Sequence, residues 1–383
     1  MRALYQITGD NEPANNGNTG LWYDKYCDKW PIINGAPEWS LKSYKAGNHE
    51  YHPKQEWIKT LAGKKVGNEK QLLEACQRIA LFADRTMGIN EPQFFNTQWR
   101  FVTGLGRNHP VENGFAWHHT LGTPYLPGSS VKGMVRAWAE HWLLNNVEDA
   151  DSKEEKQAEI DRIFGSKGKG EVGNVIFLDA LPRTPVKLEA DIMTPHYAPY
   201  YSEGEAPADW HDPTPIPFLT VASDQTFQFL IVPRLPQDEQ SRNDTEQARE
   251  WLKEALEWIG AGAKTAVGYG RMEEDKNAAR SFKDEQRRER VAQEKQRQLE
   301  SMDPFERELE ELIQQQPAIP SYVVLLNHLK SGKWEGEDVI RVAEKIRKLM
   351  KEAKSWKEVS NAKRKERDKK YQRTREVLKF LKN

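Results

Sequence analysis

The chain has 383 residues, 37% of them hydrophobic and 30% charged, so it is long enough for two or three domains but must be unusually polar in part. No apolar run approaches the roughly 18 residues a membrane helix needs, and the opening MRALYQITGD lacks the apolar core of a signal peptide, so a cytoplasmic, membrane-free protein is expected. The net charge of −1 hides a split: 275–383 hold 28 basic and 20 acidic residues, 1–274 hold 29 and 38, and 341–383 alone hold 17 and 6. A basic appendage of that kind suits an anionic partner such as nucleic acid, and equally suits the solvated faces of polar helices.

Residues 1–96 are rich in Asn, Gly, Trp and Pro, an irregular, aromatic-pinned segment with one helix at 69–85, where Leu72, Leu73, Cys76, Ile79 and Ala80 recur at helical spacing. TQWRFVTG at 97–104 alternates as a strand, and GFAWHHTLG at 114–122 is a second extended stretch. PYLPGSS then leads into a helix with Ser129 or Ser130 as N-cap and Val131, Met134, Val135, Trp138 and Trp142 as its apolar stripe. A charged helix at about 153–164 precedes strands at 174–181 and 187–193. Residues 195–217 hold six prolines and four aromatics, and of these Tyr197, Tyr200, Tyr201 and Trp210 are the exposed stacking candidates. PFLTVA and TFQFLIVPR read as a hairpin around Ser223-Asp224, and a helix at 244–259 carries Ala248, Leu252, Ala255 and Ile259 on one face. It runs into GAGAKTAVGYGRM, a glycine-rich turn entering a last strand.

This order is strand, helix, strand, strand, helix, strand: an α+β, ferredoxin-like (RRM-like) βαββαβ domain over 97–274 with insertions, shared by many unrelated proteins. Residues 275–303 form a charged helix or linker. Residues 304–383 form a basic all-α domain, opened by Asp303-Pro304 as N-cap and N1, with helices at 320–330, 336–353 and 355–381. Val339, Val342, Ala343, Ile346 and Leu349 make its apolar seam.

Two segments offer anion chemistry. Gly260, Gly262, Gly268 and Gly270 enclose Lys264, Thr265 and Tyr269 and precede Arg271. The segment fails the P-loop, since Ala263 stands before Lys264-Thr265, and fails the dinucleotide fingerprint, since Thr265 stands where Gly is required. Its exposed amides and bases would suit a phosphate chain, while the plainer reading is a helix C-cap and tight turn. At the second segment, a helix start with Ser129 and Ser130 presents free amides, with Lys132 and Arg136 one turn apart, again readable as an ordinary capped helix. Neither HExxH nor zinc-ligand spacing occurs, two cysteines make no disulfide framework, and Asp179 and Asp191 are not paired by spacing, so no metal and no cofactor are expected. Adjacent His118 and His119 point to opposite faces of an extended segment and do not act as a pair.

PYLPGSSVKGMVR at 124–136, VIFLDALP with DIMTPHYAPYY at 175–201, and GAGAKTAVGYGR at 260–271 occur in that order. Together they resemble the RAMP superfamily of CRISPR effector proteins, and within it the family of sixth subunits of the type III-B Cmr complex. NTGLWYDKY at 18–26 and TGLGRNHPVENGF at 103–115 fit the same family. The likeness covers roughly 15–274 and leaves the tail to be read from charge alone. It implies a non-catalytic RNA-binding subunit that caps the backbone filament near the 3′ region of the crRNA. The implied partners are the crRNA, target RNA through the complex, the repeating backbone RAMP subunit and another RAMP subunit. Carried onto this sequence, the RNA-binding set is Ser129, Ser130, Lys132, Arg136, the glycine loop from Gly260 to Arg271 and, nearer the amino terminus, Arg107 and His109. The rival is a metal-independent RAMP endoribonuclease processing precursor crRNA through His109 or His118.

Overall fold

The computed structural model describes residues 17–88, 91–168, 170–196, 200, 204–206, 213, 215–360 and 365–382. The stacking candidates Tyr197, Tyr201 and Trp210 lie outside these residues. The chain divides into two compact units, 1–282 and 283–383, each with its own apolar core. Among the described residues no helix is long and apolar enough to cross a membrane.

The first unit is mixed α/β. Its helices include α1 (Thr19–Lys25), α2 (Pro53–Lys59), α3 (Glu69–Met87), α4 (Gly128–Trp138), α5 (Ala150–Phe164) and α6 (Glu239–Trp258). The strands that frame the core are β1 (Lys65–Val66), β2 (Gln93–Thr97), β3 (Val175–Phe177), β4 (Leu181–Pro182), β5 (Val186–Met193), β6 (Ile216–Val221), β7 (Thr226–Phe229), β8 (Ile231–Pro233) and β9 (Met272–Glu274). One antiparallel sheet runs β4-β7-β2-β9, a second runs β6-β5-β1, and β8 pairs with β3. The helix α6 buries Ala248, Trp251, Leu252, Ala255 and Leu256. Its partly exposed neighbour α5 is tied to it by Arg162, whose guanidinium donates to both oxygens of the buried Asp244 at 2.9–3.0 Å. Asn174 and Gln240 complete that carboxylate's shell, as a buried charge demands.

Several expected elements form differently. The hairpin around Ser223-Asp224 does not exist: β6 pairs with β5, while β7 pairs with β4 and β2, so the two runs enter different sheets. The corner between them is made by Thr97, whose hydroxyl donates to the Ala222 carbonyl (3.0 Å) and accepts from the Gln225 amide (2.9 Å), with Asp224 in the left-handed region. The strand expected at 97–104 ends at Thr97, and beyond it Phe101 and Val102 make only single bridges, to Val221 and Gly262. The run 114–122 is extended only as far as His118, with Ala116 bonded to Thr103 and Trp117 bridged to Pro124, and then turns over 119–121. The run 174–181 splits into β3 and β4, because Asp179 leaves the sheet and its carboxylate accepts the Gly128 amide at 2.7 Å.

That last bond also corrects the capping of α4. Its N-cap is Pro127, and neither Ser129 nor Ser130 caps it. Past Trp138 the helix widens into a π-turn over Ala139–Leu143, which shifts the apolar register. Trp142 is therefore 47% exposed and stacked on the outside of Trp138, and in α6 Trp258 is 56% exposed.

The helix α7 (Lys276–Ser301) crosses the boundary between the units. In the second unit α8 (Pro304–Gln315) starts as expected, with the Asp303 carboxylate accepting the Phe305 amide. It is followed by α9 (Ser321–Lys330), α10 (Glu337–Glu352) and α11 (Lys369–Phe380). Val342, Ala343, Ile346 and Met350 bury against Leu309, Leu325, Leu326 and Val377, with Val339 and Leu349 at the edge. The helix expected over 355–381 is shorter, since Asp368 caps it late by accepting the Tyr371 amide.

The Thr97 corner yields a test. Thr97→Val keeps the shape but strands two buried backbone groups, and is expected to lower the stability of the first unit by about 1–3 kcal/mol, whereas Thr97→Ser stays near the parent. Denaturant unfolding followed by tryptophan fluorescence reads the difference, and equal stability of both variants would contradict the corner's role.

Candidate nucleic-acid interface

The glycine-rich segment leaves α6 and returns along the first sheet. Ala261 donates to the Gly270 carbonyl, Ala263 to Val102, and Gly270 to Arg100, each at 2.8 Å. At Gly262 (φ 82°) a Cβ would stand 2.0 Å from the Val102 carbonyl oxygen, and at Gly270 (φ 75°) 1.9 Å from that of Ala261. No side chain fits at either place, so backbone meets backbone and the loop is woven onto the 100–102 segment. Gly260 sits against the Tyr269 carbonyl in the same weave. Gly268 differs, since nothing lies within 4 Å of its would-be Cβ. The turn reading of these glycines thus holds for the amides of Ala261, Ala263, Val267, Gly268 and Gly270, all of which donate to backbone carbonyls.

What the weave presents outward is the short 3-10 turn Thr265–Val267, entered by Lys264 in the left-handed region. The Lys264 ammonium lies 5.5 Å from the centre of the Phe218 ring on β6. Tyr269, 6.1 Å from the same ring, donates its hydroxyl to Asp191 on β5. Arg100 donates to Asp191 at 2.5 Å and to Glu189 at 2.9 Å. Burial alone would raise the Asp191 carboxyl, but hydrogen bonds from Tyr269, the Ile192 amide and Arg100 hold it below its ordinary value. Burial, and then Asp191, push the Tyr269 phenol up to about 12. This face therefore combines one aromatic-seated lysine with an arginine and a tyrosine already committed to carboxylates. Phe218, Asp191 and Arg100 were absent from the sequence-derived set; the alternation KLEADIM hinted at the strand, but nothing local marks which loop it faces.

The helix-start segment is built by other means. Gly128 packs with its Cα against the Phe177 carbonyl, leaving Ser129 and Ser130 exposed at the first turn of α4. Lys132 is half-buried, and burial, with Arg136 and Arg234 nearby, holds its ammonium below its ordinary value. Arg136 is occupied by the protein: it donates to Glu140 (2.8 Å) and the Gly165 carbonyl (2.9 Å), with Asp161 at 3.5 Å. Arg234, which also braces the Gly173 carbonyl, is the basic neighbour that the sequence did not single out.

Arg107 is exposed on the 104–114 loop, where its carbonyl accepts the Gly114 amide. His109 turns inward. Its ring stacks on Tyr23 at 4.5 Å, Nδ1 accepts the Val111 amide and Nε2–H donates to the Tyr23 carbonyl. Both nitrogens are thus spent on backbone, and burial pushes the imidazole down to about 4. His118 likewise accepts the Leu121 amide at Nδ1 and is lowered by burial, against the pull of Asp179. Asp179 and Asp191 serve different places, the α4 start and the loop face. No group of three or more His, Cys, Asp or Glu able to hold a metal occurs among the described residues.

Three comparisons bear on this geometry. The sequence model of the RAMP superfamily matches residues 94–273, which hold both segments. Two curated relatives are Cmr6 subunits of the CRISPR Cmr system. The one from Pyrococcus furiosus is 36% identical over 235 residues, 47% of this chain and 66% of the relative. The one from Saccharolobus solfataricus is 31% identical over 167 residues, 42% of this chain and 49% of the relative. The matched region thus spans from about half to just under two thirds of those proteins. A cryo-EM structure of the type III-B Cmr-beta complex bound to cognate target RNA contains a similar chain, with 24% identity, a TM-score of 0.45, and coverage of 58% of this chain and 71% of that one. The motif-based likeness to RAMP proteins and to Cmr6 is borne out.

Two outcomes test the geometry. Gly262→Ala and Gly270→Ala are expected to abolish soluble folded protein, while Gly268→Ala, strained in φ but sterically open, costs about 1–2 kcal/mol and stays folded by circular dichroism. For His109, the folded pKa lies below the unfolded value near 6.5. Its stabilising contribution is therefore full above pH 6.5 and is lost as pH falls towards 4, amounting to about 3 kcal/mol at the acid end. An NMR titration in which His109 ionises near 6.5 would contradict that burial.

Proposed function

We propose that this chain, whose residues 94–273 belong to the RAMP superfamily, is a non-catalytic RNA-binding subunit of a type III-B CRISPR effector complex acting in the cytoplasm. In this reading it caps the backbone filament near the 3′ region of the crRNA, in antiviral defence. Similarity to Cmr6 subunits supports membership of such a complex. Its partners would be the crRNA, target RNA through the assembly, the repeating backbone RAMP subunit and another RAMP subunit. The sheet order β4-β7-β2-β9, with α4 after β2 and α6 after β7, is what a ferredoxin-like βαββαβ domain would have, and we read the domain so.

The observation that carries the RNA reading is the projection of Lys264. A side chain enforced in the left-handed region, seated over Phe218 and lifted by a glycine weave, is a costly way to build a mere turn. Lys264 would contact phosphate, with Thr265 and Arg271 beside it, and Lys132 with the first amides of α4 would form a second contact. Such contacts are sequence-tolerant and weaken with salt. The alternative of a metal-independent endoribonuclease finds less support, because the Nδ1 lone pairs of His109 and His118 already accept backbone amides.

The test is a reconstituted complex carrying Lys132→Glu with Lys264→Glu. Guide-RNA occupancy is expected to fall at least tenfold at moderate salt while the variant still incorporates. Parental occupancy would refute the contacts. Incubating the chain alone with repeat RNA in EDTA addresses the enzyme reading, which requires discrete cleavage.

A further inference from the structure

We propose that the second unit carries its own binding site for the phosphate backbone of single-stranded RNA, centred on the turn between α10 and the 355–360 segment. Residues 347–373 hold twelve basic residues against four acidic ones. The fold gathers part of this excess at one place. Arg347 lies 5.6 Å from the centre of the Trp356 ring, and Arg373 lies 5.8 Å from that of Tyr322 on α9. Tyr322 and Trp356 are joined through Ser355, whose hydroxyl accepts from the Tyr322 hydroxyl at 3.3 Å. Lys370 donates to the Lys354 carbonyl at 3.1 Å, bringing the start of α11 to the end of α10. Lys351, one helical turn from Arg347, continues the row along α10, and Lys354 follows in the left-handed turn just past the helix end.

Ion pairing does not use up these charges. Elsewhere in the unit Lys330, Lys333, Arg341 and Lys345 each hold a carboxylate within 4 Å, and at the cluster itself only Lys357 does, pairing with Asp368. Among the described residues none lies that close to Arg347, Lys351, Lys354, Lys370 or Arg373. Glu358 is turned to the Trp356 indole N–H at 2.8 Å. The negative end of the α10 dipole rewards one or two cations in its last turn, not five spread over two helices and the turn past α10. What the cluster offers is a group of unneutralised cations, two of them guanidiniums seated over Trp356 and the buried Tyr322. A chain of phosphodiesters supplies anions in a line and bases that stack on guanidinium planes, whereas an acidic protein surface would draw on the charges alone. The site does not depend on the effector-subunit reading, since it uses none of the residues placed in the glycine loop or at the start of α4.

The experiment uses the full chain and a fluorescent single-stranded oligoribonucleotide, with anisotropy read across a salt series. Lys351→Glu with Lys354→Glu is expected to weaken binding at least tenfold and to flatten the slope of log K against log salt by about 1.4, the loss of two phosphate contacts on a single strand. Lys351→Arg with Lys354→Arg, which keeps the charge, and the charge-matched Lys295→Glu with Arg297→Glu on α7 are expected to stay within about twofold of the parent. If thermal melting shows the glutamate pair unfolded, the glutamine pair replaces it, with the same loss expected. Unchanged affinity and slope in the site variant, or an equal loss in the α7 variant, would overturn the proposal. So would loss of a bound acidic protein with RNA affinity unchanged.

Discussion

The first unit depends on a place where two stretches of backbone touch with nothing between them. Gly262 against Val102 and Gly270 against Ala261 let the segment leaving α6 cross the 100–102 run at hydrogen-bonding distance. From that crossing β9 is delivered into register beside β2, and α6 is set to bury Trp251 and Leu252 in the core. The same crossing fixes the height at which Lys264 and Tyr269 leave the surface. A methyl group at either glycine would have to displace a backbone carbonyl that holds the crossing together, so shape and presentation cannot be changed separately.

Electrostatics around the loop is more conservative than its sequence suggests. Of the polar groups near Lys264, Tyr269 and Arg100 are bound to Asp191, and Arg100 also to Glu189. These bonds hold the Asp191 carboxylate charged and the Tyr269 phenol protonated across neutral pH, and leave Lys264, seated over Phe218, as the cation at the tip of the face. At the start of α4 the pattern repeats in another form: Arg136 is absorbed by Glu140 and the Gly165 carbonyl, while Lys132 stays beside it with a depressed ammonium. In both places a structural network surrounds a single lysine. Local groups of this kind suit an acidic unit, whose net charge gives no general attraction for a polyanion.

Long periodic segments were legible in the sequence. The stripes of α3, α6 and α10 bury as their spacing implies, and Asp303 caps α8 as expected. What could not be read locally was pairing and burial decided by distant residues. PFLTVA and TFQFLIVPR have hairpin spacing, yet Thr97, over a hundred residues earlier, takes the corner between them and sends each to a different sheet. Ser129 and Ser130 have capping chemistry, but the α4 start is met by Asp179 from another element. Trp142 has core spacing only if the helix stays α, and the π-turn removes it. The same limit applied to the site: the glycines and Lys264 announce themselves by composition, whereas Phe218, Asp191 and Arg234 become neighbours only through the fold. His109 shows the reverse, since an apparently reactive residue is spent on stacking and backbone.

The central claim is that this chain works inside an RNA-guided assembly, and its most direct test is recovery from the native host. A tagged chain would be purified at moderate salt, its companions identified by mass spectrometry and its RNA sized and sequenced. The account predicts a set of RAMP subunits together with short RNAs sharing a repeat-derived 5′ end. Recovery of the chain alone and free of RNA would contradict it.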